Sequence, residues 1–161
     1  MAILFSEDEQ VKTSLELVLL KNKLEDKGVI SWIPYKLILR SDVKELVYEK
    51  ENINQGDGDY VLSLKPIHEI ENLIGGIKDF MGKEDKQMFS FEAIEPSFEL
   101  ILERGHKGFS VICWVDAGNV VSNHYTWDGF GVRFFTSLEK INSFVQELER
   151  EKDKLVYKDY A

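Results

Sequence analysis

The sequence predicts an α+β fold: an antiparallel, curved β-sheet meander with two amphipathic helices at about residues 66–82 and 137–152, all within one domain spanning 1–161. Three observations predict it. Apolar residues alternate with polar ones at period two along most of the chain, the mark of strands with one buried face. Two segments switch to helical spacing. Gly, Asp and Asn clusters separate the alternating runs at short intervals, as turns do between neighbouring antiparallel strands.

The alternation begins at Val11–Leu20, where Leu15, Leu17 and Leu19 share one side. It returns in Trp32–Arg40 with Ile33, Tyr35, Leu37 and Leu39, and more briefly in Tyr60, Leu62 and Leu64. Phe89 and Phe91, then Phe98, Leu100 and Leu102, then Phe109, Val111, Cys113 and Val115 form three successive stripes. Val121, Asn123, Tyr125 and Trp127 predict a further strand, followed by Phe130, Val132 and Phe134. The separators are Gly28, Gln55–Asp59, Gly105 to Gly108, Ala117-Gly118-Asn119 and Asp128-Gly129. Residues 87–135 therefore read as an antiparallel meander.

In the first helix, Ile67, Ile70, Leu73, Ile74, Ile77, Phe80 and Met81 recur at spacings of three and four, and Pro66 suits its first turn because no N–H is needed there. Gly75-Gly76 weakens that helix by about 1 kcal/mol per glycine relative to alanine, which implies close approach of a strand. The second helix opens on Thr136-Ser137-Leu138-Glu139, a capping box, and buries Leu138, Ile141, Phe144, Val145 and Leu148.

Charge narrows the function classes. The 161 residues hold 20 Lys+Arg against 29 Asp+Glu, a formal net charge of −9. Nucleic-acid binding rests on basic side chains that neutralise phosphates, and anionic headgroups repel such a chain, so neither nucleic acid nor membrane is an expected partner. A basic protein is the electrostatic complement. The single Cys113 excludes an internal disulfide and a multi-thiolate metal site, no apolar run is long enough to span a bilayer, and the first residues lack the layout of a secretory signal. The predicted location is cytoplasmic.

No constellation of catalytic residues stands out, so the sequence predicts no enzyme, no cofactor and no metal site. His68, His106 and His124 do not share ligand spacing. Cys113 alternates with Val111 and Val115 and reads as a small core residue. Gly56-Asp57-Gly58-Asp59 has the composition of a calcium loop, yet position 12 counted from Asp57 is His68 where a bidentate Glu is required. Glu99 and Glu103 alternate against Phe98, Leu100 and Leu102 and so face outward; with Glu92 they form an acidic surface suited to a partner. Trp114 falls on the side of its strand opposite Phe109, Val111, Cys113 and Val115, where the expectation is that a second layer covers it and the alternative is an exposed interface anchor. The tip His124-Tyr125-Thr126-Trp127-Asp128 places two aromatics beside a turn and completes the predicted binding set: Glu92, Glu99, Glu103, His124, Tyr125, Trp127 and Asp128.

Several segments in order resemble the WapI-like immunity proteins of bacterial polymorphic toxin systems. They are Ser31-Trp32-Ile33, His68-Glu69-Ile70-Glu71-Asn72-Leu73, Phe89-Ser90-Phe91-Glu92-Ala93-Ile94-Glu95-Pro96-Ser97-Phe98-Glu99-Leu100 and Gly129-Phe130-Gly131-Val132-Arg133-Phe134, closed by Leu138, Phe144 and Leu148. The resemblance covers about residues 29–150 and implies an inhibitor that binds and neutralises the toxic C-terminal domain of an exported toxin without catalysis. Such families vary at the toxin-facing surface, so the binding set above comes from the residues and not from the family. The competing reading is a small ligand-binding domain or hydrolase, which predicts a pocket in the curved sheet where His124, Tyr125 and a carboxylate converge.

Overall fold

A computed structural model describes residues 1–8, 10–20, 33–49, 63–64, 66–94, 98–116 and 129–156. Among the described residues the fold is α+β, with antiparallel strands and two α-helices. The strands divide between two sheets, each followed in the chain by a helix. The first sheet runs in the order β1 (Ala2–Phe5), β2 (Ser14–Leu19), β3 (Ile33–Ser41) and β4 (Lys44–Tyr48), and the two-residue β5 (Ser63–Leu64) pairs with the start of β3. A π-helical turn at Pro66–Ile70 leads into α1 (Glu71–Gly82). The second sheet follows as β6 (Met88–Glu92), β7 (Phe98–Gly105), β8 (Gly108–Asp116) and β9 (Gly129–Thr136), and α2 (Leu138–Val156) closes the described chain.

The stripes anticipated from alternation are the inner faces of these sheets. Leu15, Leu17, Tyr35, Leu37 and Leu39 from the first sheet join Leu100, Leu102, Val111, Cys113 and Val115 from the second in one continuous core. Tyr35 meets Phe98 edge to face at 5.5 Å between ring centroids, so β3 and β7 touch through aromatics. From α1, Phe80 packs on Phe109 in the same manner at 5.8 Å. Arg104 lies over both of these rings and donates from Nη2 to the Phe80 carbonyl at 3.0 Å, which satisfies a carbonyl in the last turn of α1. Helix α2 runs along β1 and is tied to α1 by Lys78–Glu149 at 2.5 Å.

Two strands escape the sequence reading. Ala2–Phe5 is too short to display a period, and Lys44–Tyr48 is an edge strand whose side chains are exposed or half-buried. The predicted strand from Val121 to Trp127 lies outside the described residues. The cap of α2 is also corrected: the Lys140 N–H donates to Ser137 Oγ at 3.4 Å, whereas the Thr136 hydroxyl donates across to the Phe5 carbonyl at 2.7 Å. Thr136 thus links the sheets instead of starting the helix. The neighbouring Glu7 N–H, which donates to the Phe135 carbonyl at 2.7 Å, reinforces the link.

The two helical glycines have different reasons. A Cβ on Gly76 would lie 2.3 Å from Cε2 of Phe89 on β6, the close approach that the sequence implies, whereas a Cβ on Gly75 would meet nothing within 4 Å. Gly75→Ala is therefore expected to stabilise the fold by about 0.5–1 kcal/mol through helix propensity and a less disordered unfolded chain. Gly76→Ala is expected to lose that gain and destabilise by roughly 1 kcal/mol, because the Phe89 ring has to leave its seat. Urea denaturation midpoints of the two variants, moving in opposite directions, check the pair.

Candidate functional site

The strand pairing of the second sheet fixes what its outer face displays. Glu92 on β6 stands opposite Glu99 on β7, Glu99 opposite Trp114 on β8, and Trp114 opposite Gly131 on β9. The next row is Ser90, Ile101, Ile112 and Arg133; the one beyond it is Met88, Glu103, Ser110 and Phe135. Directly opposed side chains in an antiparallel pair stand about 4.5–5.5 Å apart at Cβ, so each row is a strip of mutual neighbours.

Trp114 is 47% exposed, which overturns the expectation that a second layer covers it. Its ring is backed from below. A Cβ at Gly131 would fall 2.7 Å from Trp114 Cε3 and 2.3 Å from the Cys113 carbonyl oxygen, so the indole lies over a strand position that only glycine can occupy. In the sequence Gly129 reads as a turn residue and Gly131 only as part of the Gly129–Phe134 family landmark; in the structure Gly131 is the position over which the Trp114 ring lies. Met88, Phe130 and Phe135 are exposed on the same sheet.

The predicted acids lie where alternation places them. Glu92 is exposed, and Glu99 and Glu103 are half-buried among the outer-face rows. Among the described residues none of the three makes an ion pair or hydrogen bond to a cation, in contrast to Glu16 and Glu45 with Arg40, Glu49 with Lys36, and Asp79 with Lys83 and Lys86. Glu92 and Glu99 are moreover a directly opposed like-charge pair, an arrangement that destabilises a sheet. Nearby, the buried hydroxyl of Ser110 has no hydrogen-bond partner among the described residues.

The remaining members of the predicted set, His124, Tyr125, Trp127 and Asp128, lie outside the described residues. The strand ends that flank them do not: Asp116 and Gly129 are the last pair of β8 and β9, at the end of the sheet that also carries the Glu92–Glu99–Trp114 row.

Other chemistry-bearing groups are accounted for. Cys113 is fully buried, and burial pushes its thiol pKa up, with the Glu99 carboxylate adding to the effect, so it is the core residue its spacing suggests. His68 and His106 are exposed, the first in the π-helical turn and the second in the tight turn between β7 and β8. Among the described residues no group of three His, Cys, Asp or Glu is arranged to hold a metal ion, and no helix is long and apolar enough to cross a membrane. An open groove of about 750 Å³ lies at one end of the first sheet, lined by Phe5, Ser6, Asp8, Lys12, Ser14, Arg40, Ser41 and Asp42. Its acids are engaged locally: Asp8 accepts from the Gln10 N–H at 2.8 Å and Asp42 from the Lys12 N–H at 3.0 Å.

No family model and no curated protein matches the chain. Among solved structures it is similar to the plant transcriptional regulator PBF-2, at 11% sequence identity and a TM-score of 0.43, over 98% of this chain and 82% of that one.

Proposed function

We propose that this chain is a cytoplasmic, non-catalytic binding protein of the immunity type, which neutralises a cognate basic toxin domain by docking it on the outer face of the second sheet. The observation that carries this reading is the Glu92–Glu99–Trp114 row: two opposed carboxylates with no cation among the described residues, beside a half-exposed aromatic lying over a glycine. A sheet that only needed solubility would pair or separate its charges and bury its tryptophan. An anchor aromatic within a polar, charged surround is the arrangement of an interface centre. The net charge of −9 favours a basic partner protein over nucleic acid or an anionic membrane. Toxin domains that are nucleases fit best, because their active sites attract phosphates and carboxylates can take the place of these.

A hydrolase or small-ligand role finds less support. The groove on the first sheet holds acids already bonded to backbone, with its Arg40 already paired to Glu16 and Glu45.

The test is a titration of the purified chain with the C-terminal domain of any exported toxin encoded directly upstream of it, followed by hydrogen exchange on the complex. The expected result is a stoichiometric complex with slowed exchange in β7 and β8 and unchanged exchange in β2 and β3. Absence of a complex, or protection confined to the first sheet, overturns the reading.

A further inference from the structure

We propose that the Glu92–Glu99–Trp114–Gly131 row is a seat for an arginine side chain of the partner, its guanidinium stacked on the Trp114 indole and paired with the Glu99 carboxylate. The inference rests on the reading that this face docks a basic protein, and adds which residue type the partner presents.

Three features select arginine. First, the indole is backed on one side by the β9 backbone: it lies over Gly131, where a Cβ would sit 2.7 Å from Cε3, yet the residue remains 47% exposed. An accessible indole is the best of the side-chain platforms for a cation, which stacks within about 6 Å of the ring. Second, the carboxylate directly across the strand pair is Glu99, with Glu92 directly beyond it. A group stacked on the ring thus has its edge aimed along the row at carboxylates that no cation among the described residues meets. Third, arginine alone combines a flat face for stacking with a donor fork at its rim, and its weak hydration makes transfer to a half-covered ring easier than for an ammonium. A second copy of this chain fits poorly, since the face presents Glu92, Glu99 and Glu103 against the single Arg133 in its central rows and like faces repel.

A further polar atom on this face is unmet. Ser110, opposite Glu103 in the outermost of the three rows, is 5% exposed and its Oγ has no hydrogen-bond partner among the described residues. Buried hydroxyls are ordinarily satisfied. The side chains of Glu103 and Phe135 flank it, and Phe135 is largely exposed, so an arm of the partner that displaces Phe135 reaches the hydroxyl along the same face that seats the arginine.

The experiment uses the whole chain, labelled with nitrogen-15, and two peptides that differ only in the cation: four Gly-Arg repeats and four Gly-Lys repeats, at low salt. The Trp114 indole signal is assigned by its loss in Trp114→Phe. The arginine peptide is expected to move that signal together with the Glu99 amide and to bind about fivefold more tightly than the lysine peptide. Trp114→Leu is expected to remove this preference and leave the lysine peptide's affinity within about twofold, since the carboxylates remain. Equal binding of both peptides on β7 and β8 with an unmoved indole signal overturns the arginine seat while leaving the basic-partner reading intact. Binding of neither peptide to this face also overturns the seat, and the toxin titration then decides the broader reading by itself.

Discussion

Glu99→Lys together with Glu103→Lys is expected to weaken the proposed toxin binding by about 10–100-fold at low salt, and the same double variant is expected to be no less stable than the native chain. The first effect follows from electrostatics across an interface: two attractive contacts with a basic partner become repulsive, which lowers the association rate and costs on the order of 1–3 kcal/mol. Native binding should fall as salt rises, because exposed charges are screened over about 10 Å at 0.1 M; the variant's dependence should be flat or inverted. The second effect separates interface loss from misfolding. Glu99 stands directly opposite Glu92, so Lys at 99 converts a like-charge cross-strand pair into an attractive one, a change of about 0.2–1 kcal/mol in favour of the fold. A protein that melts at the same or a higher temperature and binds worse is the signature of a surface kept acidic for its partner at the expense of the sheet. Unchanged affinity at low salt sinks this assignment of the face.

How much of that face was legible in the sequence differs residue by residue. Period two assigned Glu99 and Glu103 to the outward side and Cys113 to the core without any knowledge of partners, since direction is a property of the strand alone. Alternation does not say what lies over the outward side. The same pattern that faced Trp114 outward gave no means of telling a covered face from an open one, because a covering layer is a tertiary fact. Its only sequence trace was Gly131, three residues beyond a turn, and glycine's role as a slot appears only once the β8–β9 register pairs it with Trp114. The division of strands between two sheets was hidden for a related reason: periodicity finds strands, but pairing depends on contacts such as Tyr35 with Phe98, which are 63 residues apart in sequence by subtraction. Helical spacing performed better, because a helix's buried face is a local pattern: Ile141, Phe144, Val145 and Leu148 are buried as their spacing predicts, although Leu138, at the first position of α2, is 46% exposed. Its failures were local as well. Thr136 and Ser137 compete as caps, and the winner was decided by the Phe5 carbonyl, far away in the chain.

The outer face of the first sheet offers the contrasting case, a charge whose work is structural, and Arg40→Met is the variant that exposes it. Glu16 points outward from β2 next to Arg40 on β3, yet its side chain is only 4% exposed, whereas that of Arg40 is 34% exposed. Arg40 bonds Glu16 through Nη1 and Glu45 through Nε at 2.5 Å, so one guanidinium serves a buried and an exposed carboxylate. Removing the cation strands Glu16 in a poorly hydrated site. The loss of one partner of a buried pair costs about 3–5 kcal/mol, and partial access of water around position 40 lowers the expected figure to about 2–3 kcal/mol. That corresponds to a fall in Tm of roughly 5–10 °C for a domain of this size. Glu45, more than half exposed, adds little. The double variant Glu16→Met with Arg40→Met is expected to recover to within about 1 kcal/mol of the native chain, because an apolar pair of similar volume carries no desolvation penalty. Urea denaturation of the two single variants and the double variant completes the cycle; a native-like Arg40→Met would show that water, not Arg40, satisfies Glu16. Below its melting temperature Arg40→Met should bind the toxin domain with unchanged affinity, since the shared core separates its sheet face from the Trp114 row. On the proposed reading, acids that hold the fold together and acids kept for a partner lie on different sheets, distinguished by whether a cation among the described residues already meets them.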